Sequence, residues 1–173
     1  MYVLDFLRSH GVWFEALLHR PASSSTKRAG SVHVPGRRVA KAVLIKTGES
    51  YHLAVLPSTS RIDLDRFSEA VGATASQVRL ATPEEVFALF PNCEPGVVPP
   101  FGRLYGLKTF VDTGLADSPE IVVVANTRHQ GLRMRFHDFQ AIEDPVRASF
   151  SRPWAHESDR PVPKRRGGNR RAG

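Results

Sequence analysis

Apolar and polar residues recur with two different periods along this 173-residue chain, and each change of period marks a candidate element. The helical spacing of Val3, Phe6 and Leu7 predicts a short first helix, and the aromatic and aliphatic residues that follow Gly11 predict a strand. The block VAKAVLIKTGESYHLAVLP contains two apolar, β-rich runs joined across TGES. This block predicts a β-hairpin whose first strand carries Lys41.

Two helices in the middle of the chain have clear start signals. DLDRFSEAVG begins with a capping residue, Asp63, and ends at Gly72, with apolar residues at helical spacing between them. In TPEEVFALF, Thr82 is the predicted N-cap, Pro83 occupies the first helical position and Glu85 completes a capping box.

The second half of the chain contains more strand patterns than helix patterns. LKTFVD, EIVVVAN and GLRMRF predict three strands, and FHDFQAI predicts a short helix after them. Upstream, SSSTKRAGSVHV predicts a weaker helix that Gly30 interrupts. Strands and helices that do not alternate regularly favour an α+β fold with a mixed β-sheet over a doubly wound fold.

The positive charge is concentrated at the C-terminus. The chain carries a net charge of +7, yet residues 1–159 contain 18 basic and 17 acidic side chains. The last fourteen residues are rich in Arg, Gly and Pro, which predicts a disordered tail. Such a tail either attracts RNA nonspecifically or keeps the protein in solution. We therefore expect a domain over residues 1–145 and a linker with a basic tail over residues 146–173, in which Phe150 and Trp154 can fold back onto the body.

The composition is that of an ordinary soluble globular protein, with 41% hydrophobic and 24% charged residues. No apolar run reaches the length of a membrane span, and the N-terminus lacks the basic and apolar regions of a secretion signal. We therefore expect a cytoplasmic protein that does not bind membranes. Cys93 is the single cysteine, so an internal disulfide and a multi-cysteine metal site are excluded.

Several common catalytic motifs are absent from the sequence. It contains no GxSxG, GxxxxGK[ST], GxGxxG or HExxH pattern, and its seven histidines are scattered, so we expect no metal and no cofactor. Cys93 with His129 or His33 would form a nucleophilic pair, but a lone cysteine is more often a small buried hydrophobic residue.

Lys41 stands out because it interrupts an apolar strand. Val39, Lys41, Val43 and Ile45 share one face of the predicted strand, and both faces are mostly apolar. The side chain either extends to the sheet edge, which is the more common arrangement, or enters a cavity where its ammonium binds a phosphate or carbonyl oxygen.

The segment EPGVVPPFGRLYG, residues 94–106, is apolar although it contains three glycines and three prolines. Glycines allow close approach of the backbone and prolines limit its conformations, so residues 96–102 could present fixed N–H groups to a developing oxyanion. The alternative is a rigid turn that covers the core, with Phe101 as its plug.

These stretches together resemble the YbaK/ProRS-associated domain family, the stand-alone relatives of the editing domain of bacterial prolyl-tRNA synthetase. The matching pieces are VAKAVLI, HLAVLP, the DL that opens the next helix, RLATPEEVFALF, EPGVVPPFG and FVDTGL, in that order over roughly residues 1–143. The resemblance implies a curved, mixed, partly barrel-like β-sheet surrounded by helices. It also implies metal-independent hydrolysis of the ester that joins a wrong amino acid to the 3′ end of tRNA.

The resemblance also implies roles for individual residues. Lys41 matches the lysine on which activity depends, and it orients the terminal nucleotide or the aminoacyl carbonyl. Asp112 matches an aspartate that binds the loop or a substrate amine, while His129 and Thr26 lie at looser matches to pocket-flanking positions. The loop supplies the catalytic backbone of Gly96 and Gly102 and the substrate-binding residues Val97, Val98, Pro99, Pro100 and Phe101. Many relatives have serine where this chain has Pro99, which leaves the edited amino acid open.

Three functional hypotheses follow from the sequence. The first is a trans-editing deacylase of mischarged tRNA, and the second is a non-catalytic module that binds an aminoacyl-tRNA end or a nucleotide in the same pocket. The third is a hydrolase or transferase that uses Cys93. The sequence does not determine the oligomeric state.

Overall fold

The computed structural model describes residues 1–18 and 34–154 of the chain. The predicted helix around Gly30 and the basic tail therefore lie outside the described residues. In the described part, no helix is both long enough and apolar enough to span a bilayer.

Ten strands and five helices make up the described part of the chain. The strands are β1 (Glu15–Leu18), β2 (Ala40–Thr47), β3 (Ser50–Pro57), β4 (Ser60–Ile62), β5 (Val78–Leu80), β6 (Lys108–Asp112), β7 (Glu120–Val124), β8 (Gln130–Arg135), β9 (Val146–Ala148) and β10 (Ser151–Pro153). The helices are α1 (Val3–Ser9), α2 (Leu64–Val71), α3 (Pro83–Leu89), α4 (Thr113–Ala116) and α5 (Phe136–Glu143). Short 3₁₀ turns occur at Gly36–Arg38, Ala75–Gln77 and Gly102–Tyr105.

The largest sheet has the order β5-β2-β3-β6-β9 and is mixed. β2 and β3 form the predicted antiparallel hairpin, in which Lys41 lies opposite Leu56. β3 pairs in parallel with β6, and β6 pairs in parallel with β9. The predicted α+β fold with a mixed sheet is therefore confirmed.

Two smaller sheets complete the strand arrangement. β1, β8 and β7 form an antiparallel sheet, and β4 pairs with β10 in a two-stranded ribbon. An isolated bridge between Val39 and Val122 joins the two larger sheets. Within the described residues none of these sheets closes into a barrel.

The two faces of the largest sheet contact different hydrophobic clusters, because alternate residues of a strand point to opposite sides. Ala40 and Leu44 belong to the larger cluster, which includes buried residues of α1, α5 and the segment 93–101. Ile45 and Leu56 belong to a second cluster, which is built around Phe67 of α2.

The two helices with sequence start signals form as predicted. The Asp63 carboxylate accepts the backbone N–H groups of Asp65 and Arg66, and α2 ends at Gly72, whose φ of 73° suits glycine. At α3, the Thr82 hydroxyl and the Glu85 carboxylate form the reciprocal bonds of a capping box.

The packed chain continues beyond residue 145, although a linker is predicted from residue 146 onward. β9 and β10 pair with β6 and β4, and the Phe150 side chain between them is fully buried. Its ring packs edge-on against Phe67, with 5.2 Å between the ring centroids. Burial of a whole phenylalanine contributes about 1.5–3 kcal/mol, which explains why this short segment joins the body.

Asp112 anchors this C-terminal segment. Its carboxylate accepts the backbone N–H groups of Phe150 and Ser151, each at 2.9 Å, and that of Gly114 at 2.9 Å. The residue is only 3% exposed, so these N–H groups have little access to water as a replacement partner.

Replacement of Asp112 by alanine is expected to lower the free energy of unfolding by about 2–4 kcal/mol, because buried backbone donors lose a charged acceptor. Urea unfolding of the variant and the parent protein measures this loss. Asp117→Ala is the matched control, since Asp117 is exposed and uses only its backbone to end α4. Equal stability of the two variants would contradict the anchoring role.

Candidate functional site

An apolar cavity of about 380 Å³ opens between β2, β5, α3 and the segment that follows α3. Its wall is made almost entirely of aliphatic, aromatic and proline side chains. The residues that line it are Ala42, Val43, Leu44, Leu80, Ala81, Pro83, Val86, Phe87, Phe90, Cys93, Glu94, Pro95, Gly96, Val97 and Val98. Such a cavity suits a small apolar group rather than a charged one.

The first half of the loop forms one side of this cavity. Gly96 has a φ of 80°, a conformation that other residues rarely adopt, and it lines the cavity together with Val97 and Val98. The Val97 N–H donates to the carbonyl oxygen of Glu94 at 2.9 Å, so this donor is used within the loop.

The second half of the loop is part of the core instead. Pro99 and Pro100 are buried, and Phe101 is fully buried with its ring centroid 6.0 Å from that of Phe6 and 5.8 Å from that of Phe139. None of these three loop residues lines the cavity. The structure thus divides the predicted loop into a cavity wall and a core plug.

Gly102 is required by packing rather than by access to a ligand. A Cβ atom at this position would lie 2.3 Å from the Thr109 hydroxyl and 2.7 Å from the carbonyl oxygen of Leu107. No side chain fits there without a shift of the backbone, and Gly102 lies away from the cavity.

The turn between β7 and β8 holds the start of the loop. The Glu94 N–H donates to the carbonyl oxygen of Asn126 at 2.9 Å, and the Glu94 carboxylate accepts the N–H of Arg128 at 2.6 Å. The Arg128 guanidinium also donates to the carbonyl oxygen of Pro95. His129 is exposed, with its Nε2 atom 3.9 Å from a Glu94 oxygen, so it touches the loop from outside. We call these contacts of Asn126 and Arg128 with Glu94 and Pro95 the Arg128 clamp. No local sequence pattern predicts it, because its partners are more than thirty residues apart.

Cys93 lies in a buried polar cluster at the edge of the cavity. Its Sγ atom is 3.3 Å from the hydroxyl of Tyr105 and 3.3 Å from the side-chain amide of Asn126. Burial raises the pKa of the Cys93 thiol, which disfavours the nucleophilic thiolate. The Asn126 side chain also accepts the N–H of Val3 at 2.8 Å, so this cluster ties α1 to the loop.

Lys41 lies on the opposite face of β2 from the cavity-lining Ala42. Its ammonium donates to the carbonyl oxygen of Ser60, and its Nζ atom is 5.2 Å from the ring centroid of Trp154. The side chain is half-buried, and this burial lowers the pKa of the Lys41 amine. Lys41 and the cavity are therefore neighbours along the strand but are not in the same pocket.

Asp112 is also apart from the cavity. The Asp112 carboxylate is occupied by three backbone N–H groups, so in this structure it is an anchor of the chain. Thr26 lies outside the described residues. Among residues 1–18 and 34–154, no group of three His, Cys, Asp or Glu side chains is arranged to hold a metal ion.

A buried carboxyl group lies directly behind the loop. Glu143 is 3% exposed, and one of its oxygens accepts the Thr109 hydroxyl at 2.7 Å and the Arg103 N–H at 3.3 Å. Its other oxygen has no hydrogen-bond partner. Burial raises the pKa of Glu143 to about 7, because the charged form loses its hydration.

Comparison with known proteins identifies the family of this fold and site. The model of the aminoacyl-tRNA editing domain family matches residues 19–142, which is most of the chain. The chain therefore belongs to the aminoacyl-tRNA editing domain family, as the sequence resemblance indicated. No curated protein sequence matches it.

Two solved structures illustrate the similarity in fold. The hypothetical protein APE2540 has a TM-score of 0.78 at 20% identity, over 87% of this chain and 99% of its own. A protein described as a "putative trans-editing enzyme for prolyl tRNA synthetase" has a TM-score of 0.76 at 22% identity, over 87% of this chain and 94% of its own. At these identities the comparison establishes the fold alone.

Glu143 is expected to make stability fall as the pH rises. Its folded pKa lies above the unfolded value, so the folded state binds more protons between about pH 4.5 and 7. The free energy of unfolding should decrease across that window by up to about 3 kcal/mol, at about 1.4 kcal/mol per pKa unit. Urea unfolding at several pH values measures the slope.

Glu143→Gln keeps the shape of the side chain without its charge and should flatten this pH dependence. Glu69→Gln is the control, since Glu69 is exposed on α2. If the Glu143 and Glu69 variants keep the same slope as the parent, the raised pKa of Glu143 is not the cause.

Proposed function

We propose that this protein is a trans-editing aminoacyl-tRNA deacylase that hydrolyses the ester of a mischarged tRNA. The observation that carries the proposal is an apolar cavity, walled by the glycine-containing segment 96–98, in a chain of the aminoacyl-tRNA editing domain family. The partner in this proposal is the 3′ aminoacyl end of tRNA, and the place of action is the cytoplasm.

Hydrolysis of an aminoacyl ester does not require a strongly nucleophilic side chain. An aminoacyl ester is already activated, and the neighbouring ribose hydroxyl can assist the attacking water, so positioning and oxyanion stabilisation suffice. Because the Val97 N–H is committed to Glu94, we assign the oxyanion to the N–H groups of Gly96 and Val98, which border the cavity.

The apolar cavity is the proposed receptor for the amino-acid side chain. Its walls are fixed by the clamp on Glu94 and by the buried Phe101, so they resist widening. A separate editing site is needed on physical grounds, because a difference of one methylene between two amino acids gives a synthetase only about 1–3 kcal/mol of discrimination. The apolar walls favour uncharged side chains.

Lys41 is the proposed cation for the terminal nucleotide. The resemblance left two targets for this lysine, the nucleotide and the aminoacyl carbonyl. Since Lys41 does not line the cavity and its amine donates to the carbonyl oxygen of Ser60, we assign it to a phosphate or ribose oxygen of the nucleotide. β5 pairs with β2 only over residues 45–47, so it does not reach the segment around Lys41, which is paired with β3 on its other side.

The same position of Lys41 favours one alternative function. If its amine never reaches the aminoacyl ester, the protein could bind aminoacyl-tRNA without turnover. Binding of a mischarged tRNA without hydrolysis, across a panel that starts with alanine on heterologous tRNAs, would identify this non-catalytic module.

Lys41→Ala is expected to reduce deacylation of a susceptible mischarged tRNA by at least about 100-fold, because a buried charged contact to the substrate is worth several kcal/mol. Release of radiolabelled amino acid measures the rate, and circular dichroism checks the fold. Lys46→Ala is the matched control, since Lys46 lies on the same strand and pairs with Glu85 at 3.5 Å. Unchanged hydrolysis by the Lys41 variant would refute its assigned role.

Ala42→Leu is expected to narrow the cavity and to slow removal of larger side chains more than that of alanine. The ratio of kcat/KM values for two mischarged tRNAs that differ in the amino acid measures this selectivity. Ala88→Leu adds the same carbons at an exposed position of α3 outside the cavity. If both variants keep the parent's ratio, the cavity does not hold the amino acid.

A further inference from the structure

The ribbon of β4 and β10 carries an unusual pair of charges. Arg61 and Arg152 are direct partners in its antiparallel register, so both side chains lie on the same face. β10 follows the segment 19–142 that matches the family model, so the family match does not account for this strand.

Two like charges directly opposite each other destabilise a strand pair unless an anion lies near them. Arg152 donates to the Asp63 carboxylate, and Arg66 also contacts that carboxylate at 3.3 Å. Arg61 is exposed and forms no ion pair with any residue in the described ranges. The Asp63 carboxylate therefore pairs with both Arg66 and Arg152, whereas Arg61 has no carboxylate partner among the described residues.

Trp154 adds an aromatic surface to the same face. Its backbone N–H donates to the carbonyl oxygen of Thr59 at 3.1 Å, which extends the ladder of β4 and β10 by one residue. Because Trp154 is two residues after Arg152, its side chain lies on the same side of the ribbon as the two arginines. The indole is 53% exposed, and the Lys41 ammonium lies 5.2 Å from its ring centroid.

The surface is cationic as a whole. It contains four cations, Lys41, Arg61, Arg66 and Arg152, and two carboxylates, Asp63 and Asp65. An exposed indole beside the unpaired Arg61 guanidinium and the exposed Arg152 side chain suits single-stranded nucleic acid, because bases stack on the ring while phosphates bind the arginines. A duplex keeps its bases stacked on one another and offers only its terminal pair to the ring.

We propose that the ribbon face, defined as Arg61, Arg152, Trp154 and the adjacent Lys41, binds the single-stranded 3′ end of RNA. Trp154 stacks on a base, and Arg61 and Arg152 contact the flanking phosphates. The identification of this RNA as the acceptor end of tRNA rests on the proposed function. In this arrangement Lys41 contacts the terminal nucleotide, and Trp154 and the two arginines contact the nucleotides that precede it.

The two tryptophans of the chain, Trp13 and Trp154, allow a direct test. In the Trp13→Phe variant, the fluorescence of Trp154 should be quenched by a single-stranded oligoribonucleotide that ends in CCA. A blunt duplex of the same sequence should quench it much less. Absence of quenching, or equal quenching by the duplex, would overturn the proposal.

Binding measurements provide the second arm. Trp154→Ala should weaken binding of the oligoribonucleotide by about 5- to 100-fold, as loss of one stacked base predicts, and Trp154→Phe should restore part of it. Trp13→Ala is the matched control, since Trp13 is 58% exposed. Thermal melting verifies that each variant is folded. Equal affinity of the Trp154→Ala and Trp13→Ala variants would overturn the stacking role.

The salt dependence distinguishes phosphate contacts from general charge. Arg61→Ala should lower the slope of log affinity against log salt by about 1, while the exposed Arg135→Ala on β8 should change it less. Equal slopes for the two variants would contradict the phosphate contact.

The proposal for the ribbon face and the proposal of deacylase activity can be refuted independently. Normal hydrolysis by the Trp154→Ala variant with unchanged KM would refute the ribbon face and leave the deacylase intact. Quenching of Trp154 by single-stranded RNA, in a protein that hydrolyses no mischarged tRNA, would support the ribbon face and refute the deacylase.

Discussion

The carboxylate of Asp112 is the constraint on which much of the structure depends. It lies at the end of β6, caps α4 through Gly114 and accepts two N–H groups from the C-terminal segment. That segment brings Phe150 into the cluster around Phe67 and pairs β10 with β4. The ribbon, with its arginines and tryptophan, is thus held beside Lys41 by one buried charge.

The loop after α3 combines two roles that the sequence presented as alternatives. Its first residues, through Val98, line a cavity, while Phe101 is buried between aromatic rings from α1 and α5. A plug at one end and the Arg128 clamp at the other leave the intervening backbone little freedom. The rigidity of this cavity wall therefore comes from core packing at Phe101 and from the hydrogen bonds of Arg128.

The position of Lys41 separates the proposed contacts with the two parts of the substrate. The cavity beside β2 is apolar and suits an amino-acid side chain, whereas the Lys41 ammonium lies outside it and suits a nucleotide. Residues 42–44 of β2 line the cavity, so the two contacts follow one another along the strand. The division is compatible with a substrate that is itself half amino acid and half polyanion.

Local signals in the sequence were sufficient for most of the longer elements and for the family, but not for the short strands β4, β5, β9 and β10. The hairpin around TGES, the Asp63 and Thr82 caps and the order of motifs could be predicted because each depends on residues close together in the chain. Only the tertiary structure decided which loop residues face the cavity, why Gly102 must be glycine, and that the chain packs through Trp154. Those features depend on contacts across long sequence separations, such as Asp112 with Phe150, which no local pattern encodes.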